Sequence, residues 1–188
     1  MTENILAIHG AFSSPRIFNF IRFKSKGYKW HFFDYANETA GIVDLIKSVN
    51  SVESAHVVGH SMGGLIALGI ASQPWVKTIS TIATPLGGLD INLIQSYLSR
   101  SQFVNEIASH SEFIGNLKQL SVGKPVQHLI SCQGFSPWMY EPNDGVVTLR
   151  SQKALSFGQA HEIQANHAEI MLDNETVQKL REFWRIHQ

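Results

Sequence analysis

The sequence predicts an α/β domain built on a mostly parallel sheet of about six strands, with helices on both faces. Short runs of β-branched and aliphatic residues alternate along the chain with segments of helical spacing. Several of these runs are apolar throughout, as at residues 55–59, which is typical of strands buried on both faces. A length of 188 residues suits one hydrophobic core, so we predict a single domain over residues 1–188.

Six runs rich in β-branched, aliphatic and aromatic residues have the length and composition of strands. They cover residues 4–9, 29–33, 56–59, 76–83, 126–132 and 161–165. Helical spacing predicts helices over residues 15–24, 39–49, 61–72, 91–120, 147–155 and 175–187. Pro15 is typical of a helix start, and Asn174 is predicted to cap the last helix. Residues 87–123 are the least regular stretch and are predicted to form either crossover helices or a small lid.

Composition argues against several classes of partner. Fifteen basic residues balance fifteen acidic ones, so no net charge attracts the chain to nucleic acid. The nine histidines and the single cysteine show no zinc-ligand spacing, and we predict neither a metal nor a cofactor. No run of eighteen apolar residues and no secretion signal are visible, which predicts a cytoplasmic protein without a transmembrane segment. The oligomeric state is left open.

The strongest local signal is Gly-His-Ser-Met-Gly-Gly at residues 59–64. It lies between a predicted strand and a predicted helix, which is where a nucleophilic serine needs a sharp turn. Glycines two residues before and two after Ser61 let the strand and the helix approach closely. The alternative is a glycine-serine turn without chemistry, but the position at this junction favours a nucleophile.

This hexapeptide resembles the nucleophile elbow of the α/β-hydrolase family, specifically of its minimal lipases and esterases. The resemblance covers most of the chain and implies the α/β-hydrolase fold and hydrolysis of carboxylic esters through an acyl-enzyme. In that family the backbone amide after the serine stabilises the oxyanion, a role implied here for Met62. His-Gly-Ala-Phe at residues 9–12 resembles the family's HG motif and implies a second amide donor at Ala11.

The same resemblance implies an acid and then a histidine, both following the serine along the chain. Asp144 lies in Asn-Asp-Gly-Val-Val, a form that the acid loop of lipase-like members often takes, and Glu141 is the alternative acid. His167 follows the last predicted strand, where the family carries its histidine. His161 is the alternative base, although it sits at the beginning of that strand rather than at the end where loops gather.

The substrate is less well defined by the sequence. Thr-Pro-Leu-Gly-Gly at residues 84–88 resembles a lipase element, but Leu86 stands where those lipases carry histidine. Phe12, Leu86 and Trp138 are predicted to line an apolar pocket for a small-molecule acyl ester, and the same residues equally suit an ordinary core. Thioesterases and acyltransferases use the same fold and are the near alternatives. A non-catalytic ligand-binding module is the alternative from another class.

Overall fold

The computed structural model describes residues 2–90 and 103–188. Six strands form one sheet in the order β2-β1-β3-β4-β5-β6, and each neighbouring pair is parallel. The strands are β1 (Asn4–Ile8), β2 (Lys29–Phe33), β3 (Ala55–His60), β4 (Val76–Ile82), β5 (Val126–Ser131) and β6 (Gln159–Ile163). The predicted fold class is confirmed, and the largest error in a strand is that of β6, which begins and ends two residues earlier than predicted.

Seven α-helices and two 3₁₀ helices are described. They are α1 (Asn19–Lys24), α2 (Ile42–Ser48), α3 (Met62–Gly69), α4 (Phe103–Glu106), α5 (Glu112–Lys118), α6 (Leu149–Gln152) and α7 (Asn174–Ile186), with 3₁₀ helices at Pro15–Phe18 and Glu169–Leu172. The helix predicted over 91–120 falls partly on residues 91–102, which lie outside the described residues. Beyond them α4 and α5 are two short helices on the connection from β4 to β5.

The cap of the last helix was predicted one residue too late. Asp173 is the residue before α7, and its Oδ1 accepts hydrogen bonds from the backbone N–H groups of Glu175 at 2.7 Å and Thr176 at 3.1 Å. Asn174 is already the first helical residue, so its side chain cannot reach the amides that a cap satisfies. Both residues are good capping types, and the sequence did not distinguish them.

Helices cover both faces of the sheet, as predicted. Successive residues of β1 point to opposite faces, so Leu6 and Ile8 join one apolar cluster while Ile5 and Ala7 join the other. Helices α2 and α3 contribute to the first cluster, and α1 and α7 to the second. All six residues of β3 are buried, because both of its faces are covered.

Parallel strands bring the loops after their carboxyl ends to one edge of the sheet. The segments that follow β1, β3, β5 and β6 carry the residues that the sequence analysis selected for chemistry. Within residues 2–90 and 103–188, no helix is long and apolar enough to cross a membrane.

Candidate active site

Ser61 lies on the turn between β3 and α3 in a conformation that non-glycine residues rarely adopt. Its φ is 53° and its ψ is −126°. The Ser61 N–H donates to the carbonyl of Ile82 at 2.8 Å, and the Ser61 carbonyl accepts from the N–H of Gly64 at 3.0 Å. Such strain persists only where the surrounding structure enforces it, and it is common at functional sites.

Glycines enforce this turn through close backbone contacts. A Cβ at Gly59 would lie 2.2 Å from the carbonyl oxygen of Gly63, and a Cβ at Gly63 would lie 2.2 Å from that of Ile8. A Cβ at Gly10 would come within 2.9 Å of the Cβ of Ser61. These approaches leave no room for a side chain, so the loop after β1 can lie directly against the serine.

Two backbone N–H groups near Ser61 are free to bind an oxygen. Ala11 and Met62 line the same cavity as Ser61, and neither of their N–H groups has an acceptor among the described residues. Met62 is the first residue of α3, where the helix dipole adds partial positive charge. This pair can donate to an oxygen that gains negative charge during a reaction.

Asp144 is completely buried and holds His167 through its carboxylate. Nδ1 of His167 lies 2.7 Å from Oδ2 of Asp144, and the His167 N–H donates to the Asp144 carbonyl at 3.0 Å. The other carboxylate oxygen, Oδ1, accepts from the N–H groups of Val146 at 2.9 Å and Val147 at 2.7 Å. The acid loop and the histidine loop are thus joined by both side-chain and backbone hydrogen bonds.

Sequence reasoning missed two further donors to this carboxylate. The Ser131 hydroxyl donates to Oδ2 of Asp144, and Nε2 of Gln152 donates to the same oxygen at 3.1 Å. Burial raises the pKa of the Asp144 carboxyl, but the hydrogen bond and charge of His167 and the Ser131 hydroxyl outweigh it and hold that pKa below its ordinary value. Asp144 therefore stays ionised and accepts hydrogen bonds.

The imidazole of His167 presents its second nitrogen for chemistry. Because Nδ1 faces a carboxylate, that nitrogen carries the proton in the neutral ring and Nε2 has the lone pair. His167 and Ser61 line the same cavity. Their side chains, both among the described residues, are not hydrogen-bonded to each other. Such contacts often tighten only when substrate is bound.

A second histidine, His60, is in contact with His167. Nε2 of His60 is hydrogen-bonded to the carbonyl of His167 at 3.0 Å, and the two rings lie 5.0 Å apart between centroids. Burial lowers the pKa of His60 to about 3, so its ring is neutral at physiological pH. A neutral ring with Nε2 committed to a backbone carbonyl fits a structural role.

The alternative acid and base lie elsewhere. Glu141 forms an ion pair with Arg150 at 3.0 Å on the surface. His161 pairs with Leu129 in the register of β5 and β6, and it does not line the cavity that contains Ser61. The geometry brings Asp144, rather than Glu141, to His167.

The cavity next to Ser61 has a volume of about 580 Å³ and a mostly apolar wall. Phe12 and Trp138, two of the residues predicted to contact substrate, line this cavity. Leu86 does not, because its side chain is 1% exposed and packs in the core, and the neighbouring Pro85 contributes to the wall instead. Further apolar residues of the wall are Leu89, Ile107, Met139 and Val146.

Other features of the surface compete weakly with this site. A larger polar groove of about 750 Å³ runs along α7, and the predicted catalytic residues do not line it. In the described residues, no group of three or more His, Cys, Asp or Glu side chains could hold a metal ion. The site next to Ser61 is therefore the one that brings together Ser61, His167 and Asp144, the predicted nucleophile, base and acid.

Comparison by sequence identifies no matching family model and no matching curated protein. Comparison by structure does find relatives. A mature lipase of Bacillus licheniformis superposes with a TM-score of 0.74 at 15% identity, over 100% of this chain and 92% of the lipase. A lipase-esterase related protein of Clostridium acetobutylicum gives 0.68 at 15% identity, over 97% of this chain and 94% of that protein.

An enol-lactonase of Burkholderia xenovorans also matches, with a TM-score of 0.66 at 11% identity, over 98% of this chain and 92% of that enzyme. These proteins are members of the α/β-hydrolase superfamily. Each match extends over at least 97% of this chain and at least 92% of the other protein. The chain therefore has the α/β-hydrolase fold.

Proposed function

We propose that the protein is a serine hydrolase that cleaves carboxylic esters through an acyl-enzyme formed on Ser61. One observation carries the proposal: Ser61 is on a strained turn and shares a cavity with His167, whose Nδ1 is bonded to the buried carboxylate of Asp144. Nucleophile, base and orienting acid are the three parts that such a reaction needs.

The first half of the reaction forms the acyl-enzyme. Ser61 Oγ attacks the ester carbonyl carbon, and Nε2 of His167 accepts the hydroxyl proton. The carbonyl oxygen becomes an oxyanion and accepts hydrogen bonds from the N–H groups of Ala11 and Met62. When the tetrahedral intermediate collapses, the C–O bond to the alcohol breaks, and His167 gives its proton to the leaving alkoxide.

The second half returns the enzyme to its starting state. Water attacks the acyl carbon while His167 again accepts a proton, and the acid leaves as the Ser61 hydroxyl is restored. Asp144 stays ionised throughout, because its hydrogen bonds hold its pKa below the ordinary value. Its charge stabilises the imidazolium that forms twice in each cycle.

The cavity supports an apolar acyl group as the part of the substrate next to Ser61. Phe12, Trp138, Leu89 and Ile107 give it an apolar wall, and its volume of about 580 Å³ is within the ordinary range for small-molecule sites. Two proteins of similar structure are thioesterase domains, so the fold is equally consistent with hydrolysis of thioesters. The chemistry of the leaving group is the point on which these two readings differ.

The test uses p-nitrophenyl esters of increasing acyl length together with matched thioesters. We expect the Ser61→Ala variant to lose at least about 10⁴-fold in kcat, because the nucleophile is removed. Ser54→Ala is the matched control: Ser54 also has a positive φ, of 47°, and it precedes β3 at the end opposite Ser61. It should keep full turnover.

Labelling with a fluorophosphonate distinguishes a catalytic site from a binding module. The wild type and the Ser54→Ala variant should take up one label per chain, and the Ser61→Ala variant should take up none. Unchanged ester turnover in Ser61→Ala would contradict the proposal. Faster turnover of thioesters than of matched esters would favour the thioesterase reading.

A further inference from the structure

Gln152 is a buried residue that the reaction outlined above does not use. It is the last residue of α6, is 1% exposed, and has both ends of its amide bonded. Nε2 donates to Oδ2 of Asp144 at 3.1 Å and to the Ser131 carbonyl at 3.0 Å. Oε1 accepts from the Ser131 N–H at 3.0 Å. A glutamine bonded at every position in this way has little freedom to move.

The backbone of Ser131 fixes which end of the amide faces Asp144. A backbone N–H only donates and a backbone carbonyl only accepts. Rotating the amide of Gln152 by half a turn would oppose its nitrogen to the Ser131 N–H and its oxygen to the Ser131 carbonyl. Gln152 therefore has to present an N–H, rather than an oxygen, to the carboxylate.

The two carboxylate oxygens of Asp144 are held by different parts of the fold. Oδ1 is bonded to backbone amides of its own loop, at Val146 and Val147. Oδ2 is bonded to side chains from β5, α6 and the loop after β6. Since Oδ2 is also the oxygen that binds Nδ1 of His167, a donor on Oδ2 controls where the imidazole is held.

We propose that Gln152 is a positioning residue of this site, which holds Oδ2 of Asp144 where it orients His167. The inference rests on the proposed function, because the imidazole needs orienting only if it transfers protons. It adds a residue on the short helix α6 to a site otherwise composed of strand-end loops and the elbow.

The first test replaces Gln152 by methionine, which keeps the length of the side chain and removes its hydrogen bonds. We expect kcat for the best p-nitrophenyl ester to fall by about ten- to a hundredfold, the size of one hydrogen bond to a charged group. KM should stay within about twofold, because Gln152 does not line the cavity.

Gln127→Met is the matched control. Gln127 is also 1% exposed, lies on β5 like Ser131, and donates from Nε2 to the Ser80 hydroxyl at 2.9 Å. The substitution thus removes a buried hydrogen bond of a glutamine amide at a position away from Asp144. It should lower the unfolding midpoint as Gln152→Met does while leaving kcat unchanged.

Gln152→Glu separates positioning from packing through its pH dependence. The variant keeps the size of the side chain, and when ionised it sets a second carboxylate beside Oδ2 of Asp144. When protonated it can donate again. The ratio of its kcat to that of the wild type should therefore rise as the pH falls, whereas the ratio for Gln152→Met should stay flat. This variant also carries the test if the methionine variant does not fold.

A proton NMR spectrum gives a readout that needs no turnover. The Nδ1 proton of His167, assigned by its loss in Asp144→Asn, should shift or broaden in Gln152→Met and stay in place in Gln127→Met. If Gln152→Met matches the control in kcat and in this resonance, and the kcat ratio of Gln152→Glu does not change with pH, the inference is overturned. If the wild type is active, Ser61→Ala is inactive and Gln152→Met has wild-type kcat, only this inference is overturned. If the wild type and Ser61→Ala have equal turnover, the proposed function itself is overturned.

Discussion

The two halves of the candidate site are built in opposite ways. The elbow is fixed by backbone contacts so close that Gly59 and Gly63 have no room for a Cβ. The acid side is fixed by side chains, with three of them donating to Oδ2 of Asp144. The elbow depends on positions that lack a side chain, and the acid side depends on several side chains that donate hydrogen bonds to one oxygen. Damage to each half should therefore show in a different measurement.

The largest effect on chemistry is expected on the acid side. Asp144→Asn keeps the shape of the side chain. In one orientation its amide nitrogen faces the three donors on Oδ2, and in the other an uncharged oxygen replaces the carboxylate oxygen. We expect the His167 tautomer to be lost and kcat to fall by about 10⁴-fold, the size known for the equivalent change in a serine protease. Steady-state kinetics on a p-nitrophenyl ester measure it.

Asp34→Asn is the control for this change. Oδ1 of Asp34 lies 3.2 Å from Nε2 of His9, so the variant also exchanges a carboxylate that lies next to a histidine ring. Asp34 is 58% exposed at its side chain, and its loss should change kcat little. Equal losses in the two variants would mean that Asp144 acts only through general stability.

The elbow should respond in stability before it responds in chemistry. A Cβ at Gly63 overlaps the backbone of β1, so we expect Gly63→Ala to lower the free energy of unfolding by about 3 kcal/mol or more. Gly115→Ala is the control, since a Cβ there meets no atom within 4 Å. Gly115 lies in α5, and the alanine should stabilise by about 0.5–1 kcal/mol. Urea unfolding of both variants tests the contrast.

This contrast explains how much of the site the sequence predicted. The elbow is a contiguous pattern with local causes, so Ser61, Gly59 and Gly63 could be recognised from that pattern and its place between a predicted strand and a predicted helix. Asp144 and His167 were selected through family resemblance and chain order, and the structure places their side chains in contact. Gln152 and Ser131 could not be found, because the hydrogen bonds that involve them join positions 8 to 21 residues apart.

Leu86 was misjudged as a substrate contact for a related reason. The sequence identifies the residue after a strand but does not determine which way its side chain turns, and Leu86 turns into the core. The fold was easier to predict, because the four central strands are largely buried and leave a composition signal that survives errors of one or two residues at strand ends.

The free energy of unfolding should depend on pH through two buried histidines, one near each end of β3. Burial lowers the pKa of His60, beside the elbow, to about 3 from an ordinary value of 6.5. At the other end, burial is also the largest cause that lowers the pKa of His56, to about 4, with nearby Lys77 lowering it and Glu3 opposing. Both rings are neutral in the folded protein at pH 7.

As the pH falls below 6.5, His56 and His60 become protonated in the unfolded chain but stay neutral in the folded protein. The free energy of unfolding should therefore fall from about pH 6.5 toward pH 4. Burial also lowers the pKa of His128 and of His161, so the whole chain should take up at least about two protons on unfolding near pH 5. Asp144, whose pKa lies below its ordinary 3.8, adds a further loss only below that pH. Urea titrations at several pH values measure the slope, and His56→Gln should reduce it by about one proton. A flat profile between pH 6 and 5 would contradict the buried neutral state.

The smallest expected effect concerns Asp173, which has the same local pattern as Asp144. Each carboxylate accepts from the N–H groups two and three residues ahead, Glu175 and Thr176 for Asp173. Asp173→Ala should cost about 1 kcal/mol of unfolding free energy and leave kcat unchanged, while Asn174→Ala should change neither. A larger loss in Asn174→Ala would return the cap to that residue. Since the backbone pattern is shared, the difference between the helix cap at Asp173 and the acid proposed at Asp144 lies in burial and in the side chains that converge on Oδ2 of Asp144.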